Sequence, residues 1–465
     1  MEIKTFIWDE VENLDKLSSH TYDSEVLDMI NKLSKSKNKV ILNDITEKII
    51  SGPMGFQLHT TDYVEETHPD SVKLLQISNI NEFGELINTN RDKYISKEKN
   101  NELKKSIVKK NDILIAKTGA IDRSALVKEE INANLNQALG IIRLKKEYNG
   151  IKIIPEFIHL FLNGYYGLKQ LMRLGGYRSG QAGLSLDEIT SIFILLPNET
   201  EQKKILEIIH KKLQNANNHY QNYLRYSEES KNIPIKLLNI KIPSENQRTF
   251  IFTNDIKDRI DAINNSPFLN QLKQEIKKKK YKNINGLLTD AKNKFEYDEM
   301  YNLIDLDDID ENLTEIKSFK EVPVLNSQKT TFKAGNLLIS KLGSERGKVI
   351  LIDKKHDGFV GSGELVGFEL KDDCPVTLSY IFYLLRSPYL TKQIEYSLSG
   401  CSRMRVSKKD MKHLLIPLPN NESEEELIIT KVEELIKMAK DSYNLYVEEN
   451  KNAKEEYDNL LSKFL

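Results

Sequence analysis

Long-period self-similarity constrains this chain more than any other feature, because a unit written twice must fold twice. Residues 110–120, KNDILIAKTGA, align with residues 334–344, AGNLLISKLGS: a turn pair, an apolar strand, a lysine, then a turn with glycine. Residues 155–170, PEFIHLFLNGYYGLKQ, align with 378–393, LSYIFYLLRSPYLTKQ, with aromatic and leucine positions at helical spacing and a turn signal in each middle. GGYRSGQAGLS (175–185) then faces LSGCSRMRVS (398–407), and SIFILLPNETEQ (191–202) faces KHLLIPLPNNES (412–423). The offset stays near 222 to 224 residues across these segments, so a duplication is the economical reading.

Each copy ends in a long helix. Asn198 with Glu201, and Ser423 with Glu426, have the capping-box spacing. Leu206, Ile209, Leu213, Ala216, Tyr220 and Tyr223 alternate steps of three and four, as do Ile428, Val432, Leu435, Ala439, Ser442 and Tyr446, continuing to Ala453, Leu460 and Phe464. A narrow apolar seam on a charged helix is what two helices need to pack at length as a coiled coil. The second helix spans about 60 Å if unbroken, long enough to be a spacer. Pro234 and Pro243 within 233–244 predict a linker. The expected division is 1–198 and 246–422 as two strand-rich domains, 199–245 as first helix and linker, and 423–465 as second helix.

Two cysteines, Cys374 and Cys401, support neither a disulfide framework nor a zinc site, which predicts a reducing, cytoplasmic setting. No apolar run is long enough to span a membrane, and residues 1–10 lack a signal-peptide core. The net charge of −1 is no signature of nucleic-acid binding, yet the last 42 residues hold eleven acidic and six basic side chains, leaving the remainder net positive. The KKKK run at 277–280 reads as a solvated face or a phosphate contact.

Taken in order, the paired strands, the RSGQAGLS and SRMRVS loops, the LLPNETEQ and LPNNES helix starts and the TYDSEVL and INNSPFL openings resemble the type I restriction-modification specificity subunits (HsdS family). Pro197, Glu201 and Gln202 fit that family's motif before the helix, whereas the second copy offers Glu425 and Glu426 without a glutamine. The resemblance implies an α+β fold of two similar target-recognition domains in pseudo-two-fold arrangement, joined by two long antiparallel coiled-coil helices. It also implies a chain without catalysis of its own that reads a split, asymmetric DNA site and binds two methyltransferase subunits, with restriction/translocase subunits in the assembly. S-adenosylmethionine would belong to the methyltransferase, ATP and magnesium to the translocase, and no cofactor to this chain.

Base reading needs donors and acceptors on a surface that also holds phosphates. The candidates are Tyr177, Arg178, Ser179 and Gln181 in the first loop and Ser402, Arg403 and Arg405 in its twin, since Arg and Gln suit guanine and adenine edges. A glycine-rich turn capping the next helix is the plainer alternative. Lys117, Thr118, Lys341, Ser344 and Arg346 follow the duplicated strand and are phosphate-holding candidates, while Gln57, Gln76, Ser78 and Asn79 sit in turn-rich segments. His59, His68 and His159 read as structural or surface residues. Leu206, Ile209, Leu213, Tyr220, Val432, Leu435 and Tyr446 are expected to pack the helices and partners.

Two other classes compete: a coiled-coil adaptor, which leaves the duplicated domains without purpose, and a DNA-modifying enzyme. No Asn or Asp precedes two prolines and an aromatic, as an adenine methyltransferase would need to grip a flipped base. The acids of LIDLDDIDENLTEIK, from Leu303, could in principle serve a metal-dependent nuclease but read as a solvated turn. Gly361, Gly363 and Gly367 lack the ending of a phosphate-binding loop and are expected to shape a sheet.

Overall fold

The computed structural model describes residues 23–89, 92–178, 181–243, 267–293, 295, 298–313, 315–325, 329–399 and 404–465. The chain divides into two compact units, Met1–Asn217 with Tyr446–Leu465, and Asn218–Leu445.

Unit 1 opens with helix α1 (Ser24–Lys35), capped by the Asp23 carboxylate on Glu25 N at 3.0 Å and burying Val26, Met29 and Leu33. Strand β1 (Lys39–Ile41) follows. One four-stranded sheet orders β2 (Thr46–Ser51), β9 (Leu139–Leu144), β6 (Ile113–Ala116) and β7 (Ser124–Leu126), antiparallel throughout. A second orders β3 (Tyr63–Val64), β5 (Lys93–Ser96), β4 (Ser71–Leu75) and β8 (Ala133–Leu135), with β4 and β8 parallel.

The unbroken apolar run of β6 has a physical reason. Ile113 and Ile115 join the helix-lined core, while Leu114 and Ala116 point the other way into the core shared by the two sheets. Helices α2 (Pro155–Asn163) and α3 (Tyr165–Leu174) pack next; Pro155 starts α2, where a missing N–H costs nothing. The hairpin β10 (Gly176–Arg178) and β11 (Gln181–Gly183) follows, and β12 (Phe193–Leu195) returns to pair with β1.

Unit 2 repeats this order. Helix α5 (Pro267–Lys277) and β13 (Tyr281–Asn283) precede a sheet of β14 (Leu288–Asp290), β21 (Leu365–Leu370), β18 (Leu337–Ser340) and β19 (Val349–Leu351). The other sheet orders β16 (Lys320–Val322), β15 (Tyr301–Ile304), β20 (Val360–Ser362) and β17 (Lys329–Thr331), with β15 and β20 parallel. Helices α6 (Leu378–Leu385) and α7 (Pro388–Glu395), the short pair β22 (Leu398–Ser399) and β23 (Arg405–Val406), and β24 (Leu415–Pro417) complete it. Gly361 and Gly367 lie on β20 and β21, with Gly363 in the turn between them.

The long helices are α4 (Glu199–Leu237) and α8 (Glu422–Leu461). They run antiparallel. In unit 1, Leu206 and Ile209 of α4 share a core with Ala453, Tyr457 and Leu461 of α8; in unit 2, Tyr220 and Tyr223 pack with Ala439 and Tyr443. Asn198 and Glu201 form the expected capping box, at 3.0 and 3.2 Å.

Three expectations need correction. The cap of α8 is Asn421 rather than Ser423: its Oδ1 accepts from Glu424 N at 2.9 Å. Toward the end of α8, Tyr457 and Leu461 are the fully buried positions, with Leu460 and Phe464 only partly buried against the same core. Residues 233–240 are a packed helix end and not a loose linker: Pro234 forfeits one helical hydrogen bond, but the burial of Ile235, Leu238 and Ile240 holds the turn in place. Asn239, at φ +49°, then closes α4 with bonds from Asn239 N to Lys236 O and Ile240 N to Ile235 O, and Ile235, Leu238 and Ile240 enter the unit 2 core.

Candidate nucleic-acid interface

Four loops of unit 1 meet at one end of the β2-β9-β6 sheet. Leu184 N donates to Lys117 O at 2.7 Å and Thr118 bridges Gly183, which ties the hairpin to the loop after β6. Lys117 N donates to Ala138 O at 2.8 Å, Gly52 N to Leu139 O at 3.0 Å, and the Lys117 ammonium bonds Ser51 Oγ. Burial pushes the Lys117 pKa down, and no carboxylate pairs with it among the described residues. The turn at 76–79 joins the cluster through Asn136 N on Leu75 O at 2.9 Å and Arg123 Nη1 on Ile80 O at 3.0 Å.

Unit 2 uses the same backbone contact for the twin segment: Val406 N donates to Lys341 O at 3.0 Å. Lys341 Nζ donates to Gly363 O at 2.9 Å, and Arg405 pairs with Glu364 at 3.1 Å. The strand-end lysines, 224 residues apart in the chain, therefore hold the same station in each unit.

Among the candidate contacts, Gln57, Ser78 and Thr118 are exposed, and Gln76, Lys117, Lys341 and Arg405 are half-buried. For Tyr177, Arg178 and Gln181 the backbone alone is described, on β10 and β11; Ser179, Ser402 and Arg403 lie outside the described residues. Asn79 and Ser344 face inward, both 0% exposed. Asn79 Oδ1 accepts from Gln76 N at 2.9 Å, and its amide donates to Ile87 O and Asp92 Oδ1, so it holds the turn that presents Ser78. Arg346 is engaged by Glu345 at 2.7 Å and Glu311 at 3.5 Å, which makes it a brace of its own turn and no free phosphate ligand. His159 is buried, 3.3 Å from Ser124 O, with its pKa pushed down to about 4 by burial; it is neutral and structural. His59 and His68 are exposed.

The acidic segment from Leu303 is occupied by structural duties. Asp305 pairs with Lys320, Asp310 accepts from Asn312 N and Leu313 N, and Glu311 faces Lys348 at 3.3 Å. No group of three His, Cys, Asp or Glu that could hold a metal ion occurs among the described residues, and no helix there is long and apolar enough to cross a membrane.

Sequence reasoning missed two features. A basic groove runs beside β2, with Lys48, Lys104, Lys105, Lys109, Ser51 and Arg143 on its walls and a volume of about 570 Å³. Lys104, Lys105 and Lys109 fall in one run, KKSIVKK, but Lys48 and Arg143 join them from more than thirty residues away on either side. The other feature is a hook in each unit. In unit 1, Tyr446 OH donates to Glu85 at 2.7 Å, accepts from Asn81 at 3.2 Å, and its ring meets Phe83 edge-on at 4.9 Å. Gly84, at φ +81°, is required there, since a Cβ would lie 2.7 Å from the Asn163 amide and 2.8 Å from Ser124 O. In unit 2, Tyr223 OH accepts from Asn312 at 3.0 Å. Tyr223 and Tyr446 are 223 residues apart, which is the repeat offset and the signal that could have found them.

The domain family described as type I restriction modification DNA specificity domain matches residues 75–224 and again 275–444, well over half of the chain. The chain belongs to this family. The type I restriction enzyme EcoBI specificity subunit of Escherichia coli is 34% identical over 137 residues, 30% of this chain and 27% of that protein, so the chain matches about a quarter of that relative's length. Among solved structures, a chain from a study of complex assembly and conformational transition of the type I R-M system covers 92% of this chain and 97% of its own, at 13% identity and TM-score 0.40. The HsdS subunit from Thermoanaerobacter tengcongensis covers 92% and 97%, at 12% identity and TM-score 0.34. The type I S subunit from M. genitalium covers 92% and 95%, at 14% and 0.34.

Proposed function

We propose that this chain is the DNA-reading subunit of a type I restriction-modification assembly, with each unit reading one half of a split, asymmetric site. The observation that carries the reading is the duplicated station at the sheet end. Leu184 N on Lys117 O, and Val406 N on Lys341 O, seat each recognition loop beside a strand-end lysine. A cation next to a loop bearing Arg178 and Gln181, or Arg403 and Arg405, supplies phosphate attraction together with base-edge donors.

In this reading the chain performs no chemistry and works in the cytoplasm. Two methyltransferase subunits, carrying S-adenosylmethionine, bind along its helices, and restriction/translocase subunits bring ATP and magnesium. Tandem units on antiparallel helices suit a ruler, in which helix length sets the unread gap between half-sites. The exposed residues Gln57, Ser78 and Thr118 and the half-buried Gln76 and Lys117, with Tyr177, Arg178, Ser179 and Gln181, are assigned to one half. Lys341, Ser402, Arg403 and Arg405 are assigned to the other.

Methylome sequencing of a host with and without the gene tests this. A two-part adenine-methylation motif should vanish on deletion, and an unchanged methylome overturns the reading. Arg178→Ala should degrade one half of the motif and Arg405→Ala the other; equal damage to both halves from either change overturns the division of labour.

A further inference from the structure

Resting on the DNA-reading function above, we propose that Met54 and Phe56 form a wedge that inserts between stacked base pairs of the half-site read by unit 1. Phe56 is 74% exposed and Met54 62%, an aromatic and a long thioether side by side on the loop that leaves β2. Large apolar side chains held in water are costly unless something covers them.

The loop is built to hold them out. A Cβ on Gly52 would sit 1.9 Å from Asn136 O, so only glycine lets the chain press against the turn before β9. Gly55 N donates to Gln137 Oε1 at 2.9 Å and Met54 N to Gln57 Oε1 at 2.8 Å. The tip is therefore a braced turn whose apolar side chains project from a fixed base.

Charge identifies what covers the tip. Ser51, the last residue of β2, touches the Lys117 ammonium and also lines the basic groove. Lys48, Lys104, Lys105 and Lys109 in that groove pair with no carboxylate among the described residues; Arg143 alone is neutralised, by Asp112 at 2.7 Å. An apolar tip that follows in the chain on Ser51, at the end of a groove of unneutralised lysines, fits a polyanion with a hydrophobic interior, which is stacked duplex DNA. Apolar side chains of this kind unstack a base step and bend the helix, and the lysines would hold the phosphates beyond the bend.

The test uses the complex purified from its host through a tag on the full chain. Duplexes carry the recognised sequence with 2-aminopurine at successive positions of each half. With the target adenines that the methyltransferase subunits flip left unlabelled, one position in one half should change its fluorescence on binding to the parent, as an unstacked base does, and no change at any position overturns the wedge. Met54→Ala with Phe56→Ala should abolish that change and weaken binding about tenfold, while leaving the salt dependence as it was. Phe56→Trp should keep the affinity. Lys104→Gln with Lys105→Gln should instead lower the slope of log affinity against log salt by about two and leave the fluorescence change in place. Unaltered fluorescence and affinity in the double alanine variant overturns the wedge. So does loss of copurifying partners with the free chain's DNA affinity intact, which would assign the tip to a protein. A parent complex with no preference among sequences overturns the DNA-reading function itself, and the wedge with it.

Discussion

Tyr165 and Pro388 occupy the same station in the two units, the first residue of α3 and of α7, and they solve one problem in opposite ways. A helix start leaves backbone N–H groups without partners. In unit 1 the Tyr165 N–H is satisfied by both oxygens of Asp458, at 2.9 and 3.0 Å, and burial pushes that carboxyl up to about 6. In unit 2 proline has no N–H to satisfy, and the residue at Asp458's repeat position is Ile235, buried in the core. Without the donor, no carboxylate is needed there.

Other stations follow the same rule. Gln202 Oε1 accepts from Ile154 N at 3.1 Å, and Glu425 Oε1 accepts from Thr377 N at 2.7 Å, so the glutamate of the second copy does the acceptor half of the glutamine's work. Asn79 and Asp308 each cap the turn after the first strand of their parallel pair. Asp112 and Asn336 each accept from the backbone three residues before, yet Asp112 grips Arg143 while Asn336 donates to Glu369 at 3.2 Å. What the duplication preserves at these last three stations is an acceptor lone pair at a given place, while the charge around it is free to change; at Pro388 donor and acceptor are absent together.

That comparison can be broken at its strongest point first. Asp112→Ala leaves the Arg143 guanidinium without its buried partner and should cost about 3 kcal/mol, whereas Asn336→Ala should cost about 1 kcal/mol. Hydrogen exchange of β6 and β9 against β18 and β21 measures both, and equal losses would mean that the ion pair adds nothing over the amide. Gln202→Glu should cost about 2 kcal/mol, because it buries a charge and loses the donations to Lys152 O and Pro197 O at 2.9 and 2.8 Å. The converse, Glu425→Gln, should stay within about 0.5 kcal/mol, and a large loss there would break the equivalence of the two stations.

The smallest effect concerns pH. Because the folded-state pKa of Asp458 is raised, the proton it holds favours folding; that contribution is complete below the ordinary value of 3.8 and is lost as pH rises through about 6. Asp458→Asn should remove this slope from unit 1, read as the difference in melting temperature between parent and variant from pH 4 to pH 7. A parent and variant that run parallel over that window would show the carboxyl to be ordinary.

Local pattern alone was enough for the duplicated strand that is β6 and β18, for the helix pairs and for the order in which they recur, because each is specified by apolar spacing and turn residues within a dozen positions. The αL turns before β6 and β18, at Asn111 (φ 68°) and Gly335 (φ 87°), were legible as turn pairs for that reason. Pattern could not separate Asn79 from the exposed Ser78 beside it, or Ser344 from the exposed Thr118 of the corresponding turn in the other unit, since polar residues in turns look alike until burial is known. Nor could it bring Lys48 to the run of Lys104, Lys105 and Lys109, or the Tyr446 hydroxyl to Glu85. Those juxtapositions join segments tens to hundreds of residues apart, and only the packing of strand upon strand and helix upon helix closes such distances. The repeated elements thus follow from the sequence, whereas the direction in which each side chain faces, inward or to solvent, follows from the packing of elements distant in the chain.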